Sequence, residues 1–319
     1  MSAAVADLVS TPAGEWRNAL TPWSRCLDLA GVHDPQLRQD YTTLNRYLRR
    51  RERAGWLAAR ALAPAHHQAH VIAGGALVHF TDDVHDRAPA GQQGRNLALW
   101  TARMREAMDS GRSQHPMLRA YLHSAQACGL SLQWALDHAA GVRLDTGFAG
   151  FADEGGYQAY VDTSTWPGTM IVCGLIPHHV TDQDFAQSCR ALADGAQRTD
   201  NLMDLAQDLR QGRMTFSAAD LQRHGVTPRE LHLGIHTPGV HALLMANIRA
   251  ARAALDRASR MLDEITPAFA PSVRCLIGIN QHRLDRVEDH GTAITLTPVR
   301  EDPLACLRLL ITARTPLTT

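Results

Sequence analysis

Lysine is missing from the 319 residues, so every one of the 32 basic side chains is an arginine. Such usage fits a GC-rich bacterial genome, and it also fits a local need for forked phosphate donors. Acids and bases balance at 32 each. No net charge is left to draw the chain to nucleic acid or to an anionic membrane surface. Aromatic residues make up only 5% and β-branched runs are short, which argues against a core built on sheets. The six cysteines (Cys26, Cys128, Cys173, Cys189, Cys275 and Cys306) contain no Cys-x-x-Cys pair, so neither a zinc knot nor a disulfide frame is indicated. No basic-then-apolar leader opens the chain, and no uncharged apolar run reaches the ~18 residues that a membrane span requires. The expectation is a soluble, reduced, cytoplasmic protein with no membrane span.

What the chain has in quantity is alanine, leucine, arginine and glutamine, with 45% hydrophobic residues. These are helix formers, enough of them apolar to bury a core. The pattern predicts an irregular or partly helical N-terminal extension over residues 1–40, around Pro12, Pro22, Gly31 and Pro35. One all-α domain follows over 41–315. Helical periodicity begins at Tyr41, with Arg49, Arg50 and Arg51 as solvated surface, and stops at Pro64. Helices are expected over 65–87, 94–109, 116–127 and 131–143, with an ion pair between Arg143 and Asp145 at the end of the last. A glycine-rich loop follows, then a helix from Tyr157 that Pro167-Gly168 interrupts. Further helices are expected over 182–211, 217–224, 228–232, 238–264, 268–290 and 302–313. No repeat and no shift in composition divides the chain.

Two acidic stripes stand out. Asp200, Asp204 and Asp208 recur at i, i+4 and i+8, which at about 100° per residue places them within roughly 80° of one helix face. Gln197, Asn201 and Gln207 lie on or beside that arc. Asp82 and Asp86 form a second i, i+4 pair, with Asp83 flanking it and His79 nearby on the wheel. Each stripe ends a helix that is otherwise apolar or small, so each should face an interior. Stacked carboxylates repel, by a few tenths of a kcal/mol per pair even when solvated. Two inward stripes need a cation. Oxygen-only ligands suit Mg²⁺, which takes one or two carboxylates, keeps water and completes its shell on phosphate. Arg210 and Arg213 stand close enough to grip a diphosphate through forked hydrogen bonds. Taken together, the residues point to a diphosphate held by Mg²⁺ between two helices.

These motifs, in this order, resemble the squalene/phytoene synthase family, the head-to-head branch of the isoprenoid synthases. Gly55 to Pro64 (GWLAARALAP) resembles that family's SFxLASRLLP segment, about twenty residues before its first aspartate motif, here Asp82-Asp83-Val84-His85-Asp86. Gln197 to Val226 is similar to its second motif through Thr199, Asp204, Asp208, Gly212-Arg213, Asp220-Leu221 and Gly225-Val226. Leu284 to Gly291 resembles its LDxIExxGY helix end. The resemblance implies an isoprenoid-synthase helical bundle around a central cavity. It also implies Mg²⁺-diphosphate ligation by Asp82, Asp86, Asp204 and Asp208, with Arg213 as a diphosphate contact. Asp83 and Asp200 either join the metal ligands or stay solvated. Arg60 either reaches the cavity or forms a surface ion pair.

The departures from the family pattern carry information of their own. Its arginine three residues before the first motif is His79 here, and the arginine before the second motif's first matched aspartate is Met203. The family's Asn is Asp200, its Glu is Gln207, and its VAGxVG stretch is Thr163 to Gly168. Losing two guanidiniums removes forked donors worth roughly 1.5–3 kcal/mol per charge-assisted bond. That is compatible with holding one diphosphate and against holding two. The expected reaction therefore keeps the family's first step, loss of diphosphate from an allylic prenyl diphosphate, dimethylallyl favoured. Its prenyl cation is then caught by a carbon of an aromatic acceptor, as in the family's carbazole-prenylating members. His79 is a candidate base or diphosphate contact; Tyr160, Ser164, Trp166, Gln197 and Asn201 are candidate pocket residues. Head-to-head coupling and terpene cyclisation on the same fold are the alternatives. Two further readings are a His-Asp phosphohydrolase, using His85-Asp86 with His66, His67 and His70, and a non-catalytic helical relic. Either a monomer or a homodimer is compatible with the sequence.

Overall fold

Caps and prolines set most helix starts. In the computed structural model, which describes residues 20–145, 148–300 and 302–314, α1 (Trp23–Leu29) follows Pro22. Residues 1–19 of the expected extension, Thr315 at the expected domain end and the Asp145 side chain lie outside the described residues. Helix α2 (Pro35–Arg51) starts six residues before the expected Tyr41, because Asp34 caps the Leu37 N–H at 2.8 Å and Pro35 fills the first turn. Next come α3 (Arg53–Leu62), α4 (Gln68–Asp86), α5 (Gln93–Ser110), α6 (Pro116–Cys128) and α7 (Gln133–Val142). Gly111 and Gly129 stop α5 and α6 in the left-handed region, both at φ 68°, which a side chain would strain.

The expected break at Pro167-Gly168 falls elsewhere. Helix α8 (Glu154–Tyr160) runs into a π-helical turn, Val161–Thr165, and then into α9 (Trp166–Cys173). Pro167 sits in the first turn of α9, where its missing N–H leaves no ladder bond open. The widened turn comes just before it.

The expected helix 182–211 is two. Thr181 caps α10 (Asp182–Met203), Asp204 turns the chain at φ −94°, ψ 1°, and α11 (Leu205–Arg210) continues. The bonds Asp204 N–H to Asp200 O and Asp208 N–H to Asp204 O, both 2.9 Å, carry the stripe across the kink. Short α12 (Ala218–His224) and α13 (Pro228–His232) lead to α14 (Pro238–Ala258), which ends before 264 at Ser259; α15 (Met261–Glu264) follows. Helices α16 (Ala270–His290) and α17 (Pro303–Arg314) complete the described chain.

Two apolar cores form. One gathers α2, α4, α5, α6 and α7, with Tyr41, Ile72, Leu77, Met104 and Tyr121 fully buried. The other gathers α10, α14 and α16, with Phe185, Leu202, Leu243, Leu255 and Leu284 fully buried. Full burial of each such side chain stabilises by roughly 1.5–3 kcal/mol. Helix α9 is the seam, because Ile171 belongs to the first core while Met170 and Cys173 belong to the second. Each acidic stripe therefore ends the central helix of its own half, with the π turn and α9 between the halves.

Candidate active site

On α4, consecutive aspartates take different partners. Asp82 is half-buried and lies 3.4 Å from His138 Nε2 of α7. Asp83, one residue on, points 100° away toward α2. It accepts hydrogen bonds from the Tyr47 hydroxyl at 2.7 Å and Arg51 Nε at 2.9 Å, and it pairs with Arg87 Nε at 3.0 Å. Its side chain is only 9% exposed. Burial pushes the Asp83 carboxyl up, but the bonds from Tyr47 and Arg51 and the charges of Arg51 and Arg87 outweigh it and hold it below its ordinary range. Of the two expectations for Asp83, neither metal ligation nor a solvated carboxylate describes it: the group is saturated by two guanidiniums and a phenol. Arg51, expected at the surface, is half of that clamp. Asp86 is 62% exposed and contacts its neighbour His85 at 2.9 Å.

His79 is half-buried, and burial lowers its pKa against the raising pull of Asp82 and Glu52. Near neutral pH it is an uncharged imidazole, not a replacement for the charge of arginine. A groove of about 430 Å³ is lined by Phe80, Asp83, Val84, Arg87, Trp100 and His115. It follows the Asp83 face of α4 and shares no residue with the Asp82–Asp86 stripe.

On the second stripe, Asp200 is 55% exposed and lies 3.4 Å from Arg283 Nη1 of α16. Asp204 is exposed at the surface, and partial desolvation by its neighbours raises its pKa, with the Arg283 charge pulling the other way. Its carboxylate accepts no hydrogen bond from any described residue. Asp208 lies 3.6 Å from Arg213 Nε, whose guanidinium sits 5.2 Å over the Phe148 ring. Tyr160 packs edge-on against Phe148 and Phe151, centroids 6.0 and 5.5 Å away, and so borders the Arg213 end of the stripe.

A series of contacts joins the stripes across the π turn. The His138 ring lies against Gly168, where an added Cβ would come 3.1 Å from Nδ1. Thr165, one turn earlier, donates to Gln197 Oε1 at 2.5 Å, and Gln197 Nε2 donates to Asn201 Oδ1 at 2.9 Å. Asn201 adjoins Asp200. Ser164 is half-buried at the point where α7 presses on the turn; a Cβ on Gly141 would stand 2.2 Å from the Thr163 carbonyl oxygen.

Other expected residues sit away from the stripes. Arg60 is 6% exposed, donating to the Thr21 carbonyl at 2.6 Å, to Cys26 Sγ at 3.1 Å and to Gln68 Oε1, and stacking on Trp23. Gln68 opens α4, about 21 Å along the axis from Asp82, so Arg60 is a structural arginine, neither in the cavity nor in a surface ion pair. Arg210 lies about 200° around the helix from Asp208 and donates to the Leu296 carbonyl at 2.9 Å. Trp166 Nε1 donates to the Ala186 carbonyl at 3.1 Å and its ring packs on Trp134, about 21 Å along α10 from Asp200. The His-Asp phosphohydrolase grouping is not assembled: His66, His67 and His70 cluster at the start of α4, more than about 20 Å from His85.

Sequence reasoning missed His138, Thr165, Phe148 and Arg283. A histidine on the apolar face Ala135, Ala139, Val142 was the one visible cue for His138; the rest depend on tertiary placement.

Among the described residues no three His, Cys, Asp or Glu side chains converge on one metal position. A closed, all-protein cage is therefore not built. An ion that uses one or two carboxylates and takes its remaining oxygens from water and phosphate fits this donor set, with the exposed Asp204 carboxylate, which accepts no hydrogen bond from a described residue, as its best anchor.

An all-α bundle with aspartate stripes ending two central helices defines the isoprenoid synthase class. The sequence profile of squalene/phytoene synthases matches residues 49–306, and the chain belongs to that family. It is 24% identical over 222 residues to the bifunctional protein CrtB/UppS of Streptomyces coelicolor, covering 68% of this chain and 38% of that protein. Its fold is shared with squalene synthase HpnC of Alicyclobacillus acidocaldarius at a TM-score of 0.74 and 21% identity, covering 82% of this chain and 98% of the other. A dehydrosqualene synthase solved with a ligand gives a TM-score of 0.79 at 18% identity, covering 87% and 96%. That family comprises isoprenoid synthases of prenyltransferase type, which use a divalent metal to ionise diphosphate, and the chain spans about two fifths of the length of the curated relative it matches. No helix among the described residues is long and apolar enough to cross a membrane.

Proposed function

We propose that the protein ionises one allylic prenyl diphosphate, dimethylallyl favoured, with Mg²⁺, and transfers the prenyl group to a carbon of an aromatic acceptor of the carbazole kind, in cytoplasmic secondary metabolism. The observation that carries this reading is the asymmetry of charge between the stripes. Guanidiniums attend the second stripe at both ends, Arg283 at Asp200 and Arg213 at Asp208. The first has histidines, His79 and His138, while Arg51 and Arg87 are committed to Asp83. One diphosphate is well provided for, and a second lacks its forked donors.

Asp82 and Asp86 from one side, and Asp204 and Asp208 from the other, would hold Mg²⁺. When bound, the ion neutralises charge on the departing diphosphate. Arg213 donates to the diphosphate oxygens as the C–O bond breaks. Tyr160 and Phe148 offer ring faces beside that end, suited to a delocalised cation. An aromatic carbon then forms the new C–C bond, and its proton leaves to restore aromaticity. The departing diphosphate, held beside the new bond, is suited to accept it.

Head-to-head coupling is the second reading, favoured by the fold shared with squalene and dehydrosqualene synthases. The two are separated by incubating the protein and Mg²⁺ with dimethylallyl, farnesyl or geranylgeranyl diphosphate, with and without carbazole. Diphosphate release that needs the aromatic, with a C-prenylated product by mass, is the expected result. A dimeric hydrocarbon from the prenyl diphosphate alone sinks the proposal in favour of coupling, and a cyclic terpene sinks it in favour of cyclisation.

A further inference from the structure

Helix α10 carries no cation within its own acidic stripe. At the position where a guanidinium would adjoin Asp204 the chain has Met203, buried in the second apolar core. A guanidinium is nevertheless present, brought from another element. Arg283 of α16 lies 3.4 Å from Asp200, 27% exposed, and near enough for its charge to act on Asp204. Helices α10 and α16 share the core through Leu202, Ile277 and Leu284, so this placement is fixed by packing.

We propose that Arg283 is a diphosphate-binding residue, supplying from α16 the forked donor that α10 lacks at Met203. The assignment rests on the prenyl diphosphate reading of the site. It also gives Asp200 a role apart from the metal: the carboxylate positions the Arg283 guanidinium over the stripe and leaves the metal to Asp204 and its neighbours. Arginine suits this post because two parallel N–H donors match two diphosphate oxygens, whereas an ammonium offers a point charge. With Arg213 beyond Asp208, the stripe is bracketed, so a diphosphate lying along it meets a guanidinium at each end.

The test uses the full chain and inorganic pyrophosphate as probe, titrated calorimetrically in saturating Mg²⁺. Arg283→Gln should weaken pyrophosphate binding roughly 10- to 100-fold, the loss of a charge-assisted contact. Its melting temperature should stay within about 2 °C, because the side chain is partly exposed. Arg283→Lys should recover part of the affinity, and Asp200→Asn should weaken binding only a few-fold while leaving Mg²⁺ dependence intact. Wild-type affinity in Arg283→Gln overturns the assignment alone. If Asp200→Asn weakens binding as much as Asp204→Asn, the division of labour between the two carboxylates is wrong. Failure of the unaltered protein to bind pyrophosphate with Mg²⁺ overturns the diphosphate reading, and the assignment with it.

Discussion

Asp83 accepts from Tyr47 and Arg51 and pairs with Arg87, whereas Asp82, one residue earlier, meets the His138 ring. Substituting each should separate architecture from chemistry. Asp83→Asn should cost about 1–3 kcal/mol, since it strips a buried partner from two arginines that remain partly solvated. Thermal melts would show it as a drop of several degrees, with diphosphate release per folded molecule little changed. The pH dependence has a definite sign. Asp83 is held below the unfolded carboxylate value of about 3.9, so its contribution is present above that pH and is lost as pH falls further. Asp204→Asn should do the reverse: diphosphate release falls by about 100-fold or more, while the melting temperature holds or rises as like-charge repulsion is relieved. Normal release from Asp204→Asn would defeat the two-stripe mechanism. The i, i+4 spacing was enough to find both stripes in the sequence. It could not say which of two adjacent aspartates packs on α2, because that depends on partners 32 and 36 residues away in the chain.

At the scale of elements, the π turn Val161–Thr165 is the joint on which the site hangs. Composition and proline placement located nearly every helix to within a few residues, because caps and left-handed glycines are local signals. The disturbance near Pro167-Gly168 was legible too, but its cause was not. A proline in a first turn costs little, and the widened turn upstream answers a tertiary demand, the close approach of α7 at Gly141. The kink at Asp204 escaped for a similar reason, since Asp204 bounds both helices without a side-chain cap bond and so leaves no local capping signal. Gly168 offers a direct probe of this joint. A methyl there stands 3.1 Å from His138 Nδ1 and displaces the ring by a few tenths of an ångström. Gly168→Ala should therefore lower turnover about tenfold with a small change in melting temperature, through a shifted imidazole. Gly141→Ala should instead unfold the protein several degrees earlier, because its Cβ would stand 2.2 Å from a backbone oxygen that cannot yield. Equal effects from both substitutions would mean that the joint is simply a packing contact.

For the whole molecule, the two halves carry different titrating loads. The second half holds the bracketed acidic stripe; the first holds, at the far end of α4, a buried histidine group that the proposed chemistry does not use. His70 donates to or accepts from Ser124 Oγ at 3.2 Å, stacks on His123 at 5.9 Å and meets His67 at 5.7 Å. Tyr41 closes the group through His123 Nδ1 at 2.9 Å and Ser124 Oγ at 2.7 Å, and Cys128 flanks His67. Among the described residues no carboxylate partners any of these rings, so burial, and then the rings' mutual repulsion, pushes His70 down to about 4, and burial lowers His67. Burial lowers His123 as well. The unfolded chain binds protons at these sites from about pH 6.5 downward, while the folded chain keeps His70 neutral to about pH 4 and also resists protonation of His67 and His123. Stability is therefore complete above about pH 7 and declines steadily as pH falls through that window, before the carboxylates of the stripes begin to titrate in the unfolded chain. Melting curves at half-unit steps would show the slope, and His70→Gln should flatten it by removing the most strongly shifted ring. A flat profile from pH 7 to 4 in the unaltered protein would mean that these imidazoles gain protons without opening the first core. Because the group lies about 20 Å from Asp82 along α4, pyrophosphate with Mg²⁺ should raise the whole melting profile without altering its slope, since the ligand and the buried imidazoles sit at opposite ends of that helix.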